Sequence, residues 1–238
     1  MSYNHIIVNT DAKSPIAEAY RVLRTNIQYS NIDKQIKTIV VTSSGPMEGK
    51  TTTVINLAVT FAYAGNKTLL IDSDLRRPKI HEFFMLTNKR GLTNLIASRG
   101  EYKDYVLLSE IQNLDILTSG TIPPNPSEVL SSNAMKEFIR KASEDYDMVL
   151  IDAPPVGIVT DAAIISTYVD GTILVANSGQ VEIEAIKRAK ELLNHVNANI
   201  IGVVLNKVRK NNKDNNYSYY YYNVGISKRK RKRQREII

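Results

Sequence analysis

Thr38 to Thr53 reads TIVVTSSGPMEGKTTT, a β-branched run that turns into a glycine-bearing loop and then into the triplet Gly49-Lys50-Thr51. Successive Val, Ile and Thr favour a strand, and the stretch TTVINLAVTFAYAG that follows is helix-like. A strand, a tight loop and a helix N-terminus together form an anion cradle, because backbone N–H groups and the helix dipole converge there. The spacing follows G-x-x-x-x-G-K-[ST], in which the lysine reaches the β- and γ-phosphates of a nucleotide and the hydroxyl binds Mg²⁺. Ser44 stands where that pattern has its first glycine, with Gly45 supplying flexibility next door. The candidate nucleotide-binding residues are therefore Gly45, Pro46, Met47, Glu48, Gly49, Lys50, Thr51 and Thr52, with Thr51 on the metal.

Outward from this segment the same alternation continues. TLLID, MVLIDAP, GTILVANS and NIIGVVLN are further apolar strand-like runs, and EIEAIKRAKELLNHV is helix-like. Continuous apolar strands alternating with helices predict an α/β fold: a doubly wound, mainly parallel sheet with helices on both faces. One domain is expected over residues 1–208. Near its start, SPIAEAYRVLRTNIQYS reads as a helix over about 14–30, capped by Ser14 and with Pro15 in its first position. Residues 209–238 hold little that can build a core and are expected to be a disordered tail.

Composition excludes several chemistries. The chain has no cysteine, which rules out disulfides, iron–sulfur clusters, thiolate zinc sites and cysteine nucleophiles. No apolar run approaches the ~18 residues of a membrane span, and the first residues lack the pattern of a signal peptide, so a cytoplasmic protein is expected. The net charge of +7 is unevenly placed: residues 207–238 carry 11 basic and 2 acidic side chains, which leaves −2 for the rest.

The chemistry gathers where strands end. Asp72 ends TLLID with Asp74 two residues on, and Asp152 ends MVLID, so all three carboxylates fall at the sheet edge where the phosphate loop also lies. Carboxylates beside a lysine suit Mg²⁺, which keeps several waters and takes few protein oxygens; Thr51, Asp74 and Asp152 are the expected metal-side groups. Arg76 can stabilise charge on a transferred phosphoryl group, and Asn206 can read a nucleotide base with its amide. Glu18, Arg21 and Arg24 recur at i, i+3 and i+6 on the first helix.

These residues resemble a known family, the bacterial tyrosine kinases that regulate capsular and exopolysaccharide synthesis. SSGPMEGKTT is similar to their Walker A loop, LLIDSDLRRP to their modified second Walker motif and VLIDAPP to their Walker B, and TSGTIPPNPSEVLSS is also family-like. The resemblance implies a P-loop NTPase fold, ATP and Mg²⁺ as cofactors, and catalysis by Lys50, Asp72, Asp74, Asp152 and Arg76; the base is Asp72 or Asp74, with Asp72 the expected one. Glu18-x-x-Arg21-x-x-Arg24 matches a pattern that relatives use at the contact between subunits of a ring. The run NYSYYYYN matches the family's tyrosine cluster, so Tyr217, Tyr219, Tyr220, Tyr221 and Tyr222 are expected sites of autophosphorylation between subunits. It further implies a separate membrane activator, a protein-tyrosine phosphatase, a position at the inner face of the membrane, and protein substrates such as sugar-nucleotide dehydrogenases and glycosyltransferases. The alternative is a switch ATPase of the partition or division-site type, whose signature lysine is replaced here by Gly45. In the tail, KRKRKRQR can bind an anionic membrane surface or nucleic acid, and five phosphotyrosines would bring about −8 to −10, enough to cancel its +9.

Overall fold

The computed structural model describes residues 6–30 and 35–208; the expected disordered tail 209–238, with its tyrosines and basic run, lies outside them. Seven strands form one sheet: β1 (Thr38–Ser43), β2 (Thr68–Asp72), β3 (Leu107–Leu108), β4 (Leu114–Leu117), β5 (Met148–Asp152), β6 (Gly171–Asn177) and β7 (Ile200–Asn206). Their order is β3-β4-β2-β5-β1-β6-β7, with every neighbouring pair parallel except β3 with β4. The five strand-like runs of the sequence are β1, β2, β5, β6 and β7. β4 and the two-residue β3 extend the sheet on the far side of β2.

The period of two along each strand decides which face a residue serves. Ile39, Val41, Leu70, Leu150, Ile173 and Val175 join one core. Val40, Leu69, Ile71, Val149, Ile151 and Leu174 join the other. The central strands are apolar throughout because both faces are covered. The first face is covered by α1 (Ile7–Thr10), α2 (Pro15–Gln28) and α3 (Lys50–Tyr63). Short helices α4 (Ile80–Phe83) and α5 (Leu92–Ser98) follow β2. The second face is covered by α6 (Pro126–Ser131), α7 (Asn133–Asp145), α8 (Asp161–Ser166) and α9 (Ile183–His195).

α2 starts as its sequence dictates: the Ser14 Oγ accepts from the Ala17 N–H at 3.1 Å, and Pro15 takes the first turn. α3 is almost wholly buried, and Asn56 within it is placed for tethering. Its Oδ1 accepts the Val8 N–H at 3.1 Å, pinning α1 to the helix that opens the phosphate loop. Among the described residues no helix is long and apolar enough to cross a membrane.

Candidate nucleotide and phosphoryl-transfer site

β1 lies between β5 and β6, so the loop leaving it emerges at the centre of the sheet's C-terminal edge. Gly45 to Gly49 make that loop, and Lys50, Thr51 and Thr52 open α3 behind it. Gly49 has φ +94°, a left-handed conformation in which a Cβ is strained, and a Cβ there would also lie 2.0 Å from the Asn206 Nδ2. Glycine is required at 49 on both grounds. Asn206, at the end of β7, lays its amide on the loop and donates to the Glu48 carbonyl at 3.0 Å. Asn206, expected from the sequence to read a nucleotide base, also braces the phosphate loop.

Ser44 does more than tolerate the glycine position. Its hydroxyl donates to the Glu48 Oε1 at 2.6 Å, and the Gly45 N–H donates to the same oxygen. Glu48 is buried, so the loop is closed by its own carboxylate. Gly157, after β5, presses against this turn: a Cβ there would come within 2.3 Å of the Ser44 carbonyl oxygen. The Gly157 contact has no local sequence signal, since its partner lies far away in the chain.

The carboxylates meet around Lys50. Asp72 and Asp152 end neighbouring parallel strands in direct register. The Lys50 ammonium donates to the Asp74 Oδ2 at 3.1 Å and lies 3.8 Å from the Asp152 Oδ1. The Thr51 hydroxyl donates to the Asp152 Oδ2 at 2.6 Å. Asp72 is held by its Oδ2, which accepts the Lys79 and Ile80 N–H groups, both at 3.0 Å. Asp74 accepts the Arg77 N–H at 3.0 Å through its other oxygen. Buried oxygens remain without a hydrogen-bond partner on Asp72 (Oδ1) and Asp152 (Oδ1).

Burying negative charges side by side raises their affinity for protons. Burial pushes the Asp72 carboxyl up to about 8, with the neighbouring Asp152 and Asp74 charges adding, against two backbone donors. Burial likewise pushes Asp152 up to about 6, held back by Lys50 and the Thr51 hydroxyl. Lys50 is opposed by its own burial, yet Asp152 and Asp74 outweigh this and hold its proton more firmly than usual. The cluster is poor in positive charge, which fits a cation arriving with a nucleotide. Among the described residues no three acidic or histidine side chains form a cage of their own. A Mg²⁺ that takes most ligands from phosphate and water needs none.

Arg76 stands apart from this cluster. Its fork makes two bonds to Asp161, Nε to Oδ2 at 2.9 Å and Nη2 to Oδ1 at 3.1 Å. Asp161 is fully buried at the start of α8 and also accepts from the Ser127 hydroxyl at 2.8 Å. Neither partner was singled out in the sequence. On α2, Glu18 pairs with Arg21 at 2.6 Å, while Arg24 turns inward and donates to the Thr60 carbonyl of α3 at 3.2 Å. The triad thus divides between a surface pair and a packing contact.

A glycine loop opening a buried helix, a lysine at its start and an acidic residue ending the adjacent strand define the class: a nucleotide-binding P-loop domain. Residues 34–207 match the family model described as an AAA domain. The chain is 45% identical over 202 residues to the tyrosine-protein kinase YwqD of Bacillus subtilis (strain 168), covering 85% of each. It is 42% identical over 192 residues to the tyrosine-protein kinase CpsD of Streptococcus pneumoniae serotype 4, covering 80% of this chain and 84% of that one. The crystal structure of the chimerical protein CapA2B2 matches with a TM-score of 0.84 at 42% identity, over 87% of this chain and 91% of that one. The chain belongs to the family of bacterial tyrosine-protein kinases and is a protein-tyrosine kinase.

Proposed function

We propose that this kinase transfers the γ-phosphoryl group of ATP to tyrosines 217 and 219–222 of a neighbouring copy, and that the reaction regulates capsular or exopolysaccharide synthesis and export. The observation that carries the proposal is the convergence of Lys50, Thr51, Asp72, Asp74 and Asp152 at one sheet edge. The loop N–H groups and Lys50 bind the β- and γ-phosphates. Thr51, Asp74 and Asp152 would hold Mg²⁺, which neutralises charge on the phosphates when bound.

A tyrosine hydroxyl ionises near pH ~10, so it needs a base as the bond forms. Asp72 fits that role through its raised proton affinity and its unpartnered Oδ1. The tyrosine oxygen bonds to the γ-phosphorus, the bond to the β–γ bridging oxygen breaks, the proton passes to Asp72 and ADP leaves. Asn206 would also contact the base of the nucleotide, beside its bond to the Glu48 carbonyl. The domain over 1–208, its oligomerisation through the helix bearing Glu18, Arg21 and Arg24, and a tail that carries the acceptor tyrosines belong to the same proposal. So do a membrane activator, a phosphatase and protein substrates such as sugar-nucleotide dehydrogenases and glycosyltransferases. In this reading the protein sits at the inner face of the membrane, aided by KRKRKRQR.

Incubation with Mg-ATP followed by peptide mass spectrometry tests the reading, with Lys50→Met as control. Phosphate on tyrosines 217 and 219–222 that vanishes in the control is the expected result. ATP hydrolysis with no phosphotyrosine would refute it and favour the switch ATPase.

A further inference from the structure

The strand order lays out the reaction along the sheet edge. The phosphate loop rises from β1, Asn206 ends β7 on one side, and β5, β2 and β4 follow on the other. Attacking and leaving oxygens stand roughly in line in phosphoryl transfer. With the nucleotide spread from the loop toward Asn206, the acceptor comes from the side of β2 and β4. Ile71 pairs with Leu117, so β4 ends about 4.8 Å from β2, and the loop after it leaves the same sheet edge as the loop that carries Asp74.

The tip of that loop is apolar and exposed. Ile122 is 61% accessible, Pro124 and Asn125 are exposed, and Pro123 is half-buried. Two pyrrolidine rings fix the backbone and present flat hydrocarbon faces. Both ends of the tip are fastened. On one, the Thr93 hydroxyl donates to the Thr121 carbonyl at 2.7 Å, and the Thr121 N–H donates to the Asn94 Oδ1 at 3.4 Å. On the other, Pro126 is buried and the Ser127 hydroxyl donates to the Asp161 Oδ1, while the Arg76 Nη2 donates to the Ser127 Oγ at 3.2 Å. Arg76 lies two residues beyond Asp74, which holds Lys50. The brace therefore ties the base of the tip to the segment that carries Asp74.

We propose that Ile122, Pro123 and Pro124 form an acceptor shelf, which packs against the aromatic ring of the tyrosine being phosphorylated or of its neighbour in the tract. Arg76, Asp161 and Ser127 are positioning residues that fix its place relative to Asp74. The inference rests on the phosphorylation of tyrosines proposed above and names the residues that select them. Its occupant is an extended tyrosine-bearing segment, as in NYSYYYYN. Aromatic rings bury much area on such a surface with little loss of side-chain freedom. A run of adjacent tyrosines gives the shelf a ring on either side of the reacting one.

The test uses the purified full chain with Mg-ATP and the synthetic peptide NYSYYYYN, following phosphopeptide formation by mass spectrometry. Ile122→Ser is expected to raise the KM for peptide about tenfold, the scale of one lost aliphatic contact, while kcat at saturating peptide changes by less than about twofold. Ile122→Leu is expected to restore the KM. Asp161→Asn, which loosens the brace, should raise the peptide KM more than the ATP KM; a merely structural residue would shift both along with the melting temperature. A peptide KM unchanged in Ile122→Ser overturns the shelf and leaves the kinase reading standing. A wild-type chain that makes no phosphotyrosine overturns both.

Discussion

Asp72→Asn preserves the shape of a side chain whose charge is opposed by burial and by the neighbouring Asp152 and Asp74. The amide oxygen can still accept the Lys79 and Ile80 N–H groups, and the NH₂ takes the place of the unpartnered Oδ1. Any packing cost of that swap is the same at every pH, so the pH dependence isolates the charge. In the unfolded chain the carboxyl ionises near pH ~3.9, whereas in the fold burial raises it to about 8. The folded state thus binds the extra proton across this window. The stability it contributes is complete below about pH 4 and is lost as pH rises through about 8. From pH 5.5 to 8, wild type should lose about 3 kcal/mol from this group, and the variant nothing. At about 2–4 °C per kcal/mol for a domain of this size, the melting temperature of the variant should gain about 6–12 °C on wild type over that range. Differential scanning calorimetry with a chelator and no nucleotide reads the gap. A gap independent of pH, or one that shifts toward wild type as pH rises, refutes the electrostatic account. Kinase activity should fall by about 10²–10⁴ if Asp72 is the base.

Two further outcomes follow from contacts of the loop and the first helix. Gly49→Ala forces a left-handed alanine against the Asn206 amide and should cost about 1–3 kcal/mol and weaken ATP binding; adding Asn206→Ala should recover part of the loss, measured by calorimetry as a less-than-additive double mutant. Arg24→Ala removes the bridge from α2 to the Thr60 carbonyl and should lower the melting temperature by about 2–4 °C even where sedimentation shows monomer, whereas Glu18→Ala, which breaks only a surface pair, should shift it by less than about 2 °C.

The phosphate loop, the three carboxylates and the parallel sheet were legible because each is carried by local sequence: apolar runs, a glycine turn, an acid at a strand end. β3 and β4 were not, since Leu107–Leu108 is too short to show a period and LDIL carries an acid in its middle. Arg76 was read as a group for the phosphoryl charge, and the structure gives its fork to Asp161, 85 residues further along the chain. No local pattern announces such a partner. Arg24 likewise has a partner that its spacing does not announce: α3 packs close enough to take its donor through the Thr60 carbonyl.

The Asn206 contact with Glu48 spans 158 residues of sequence, from the end of the last strand to the loop after the first. During synthesis, β1, α3 and most of the sheet leave the ribosome well before the residue that braces the loop. A chain that stops at β6 carries the glycine, the lysine and all three carboxylates, yet lacks the amide that holds the Glu48 carbonyl. The last strand thus closes the loop that follows the first, and the two ends of the sheet's chain path meet at the phosphate cradle.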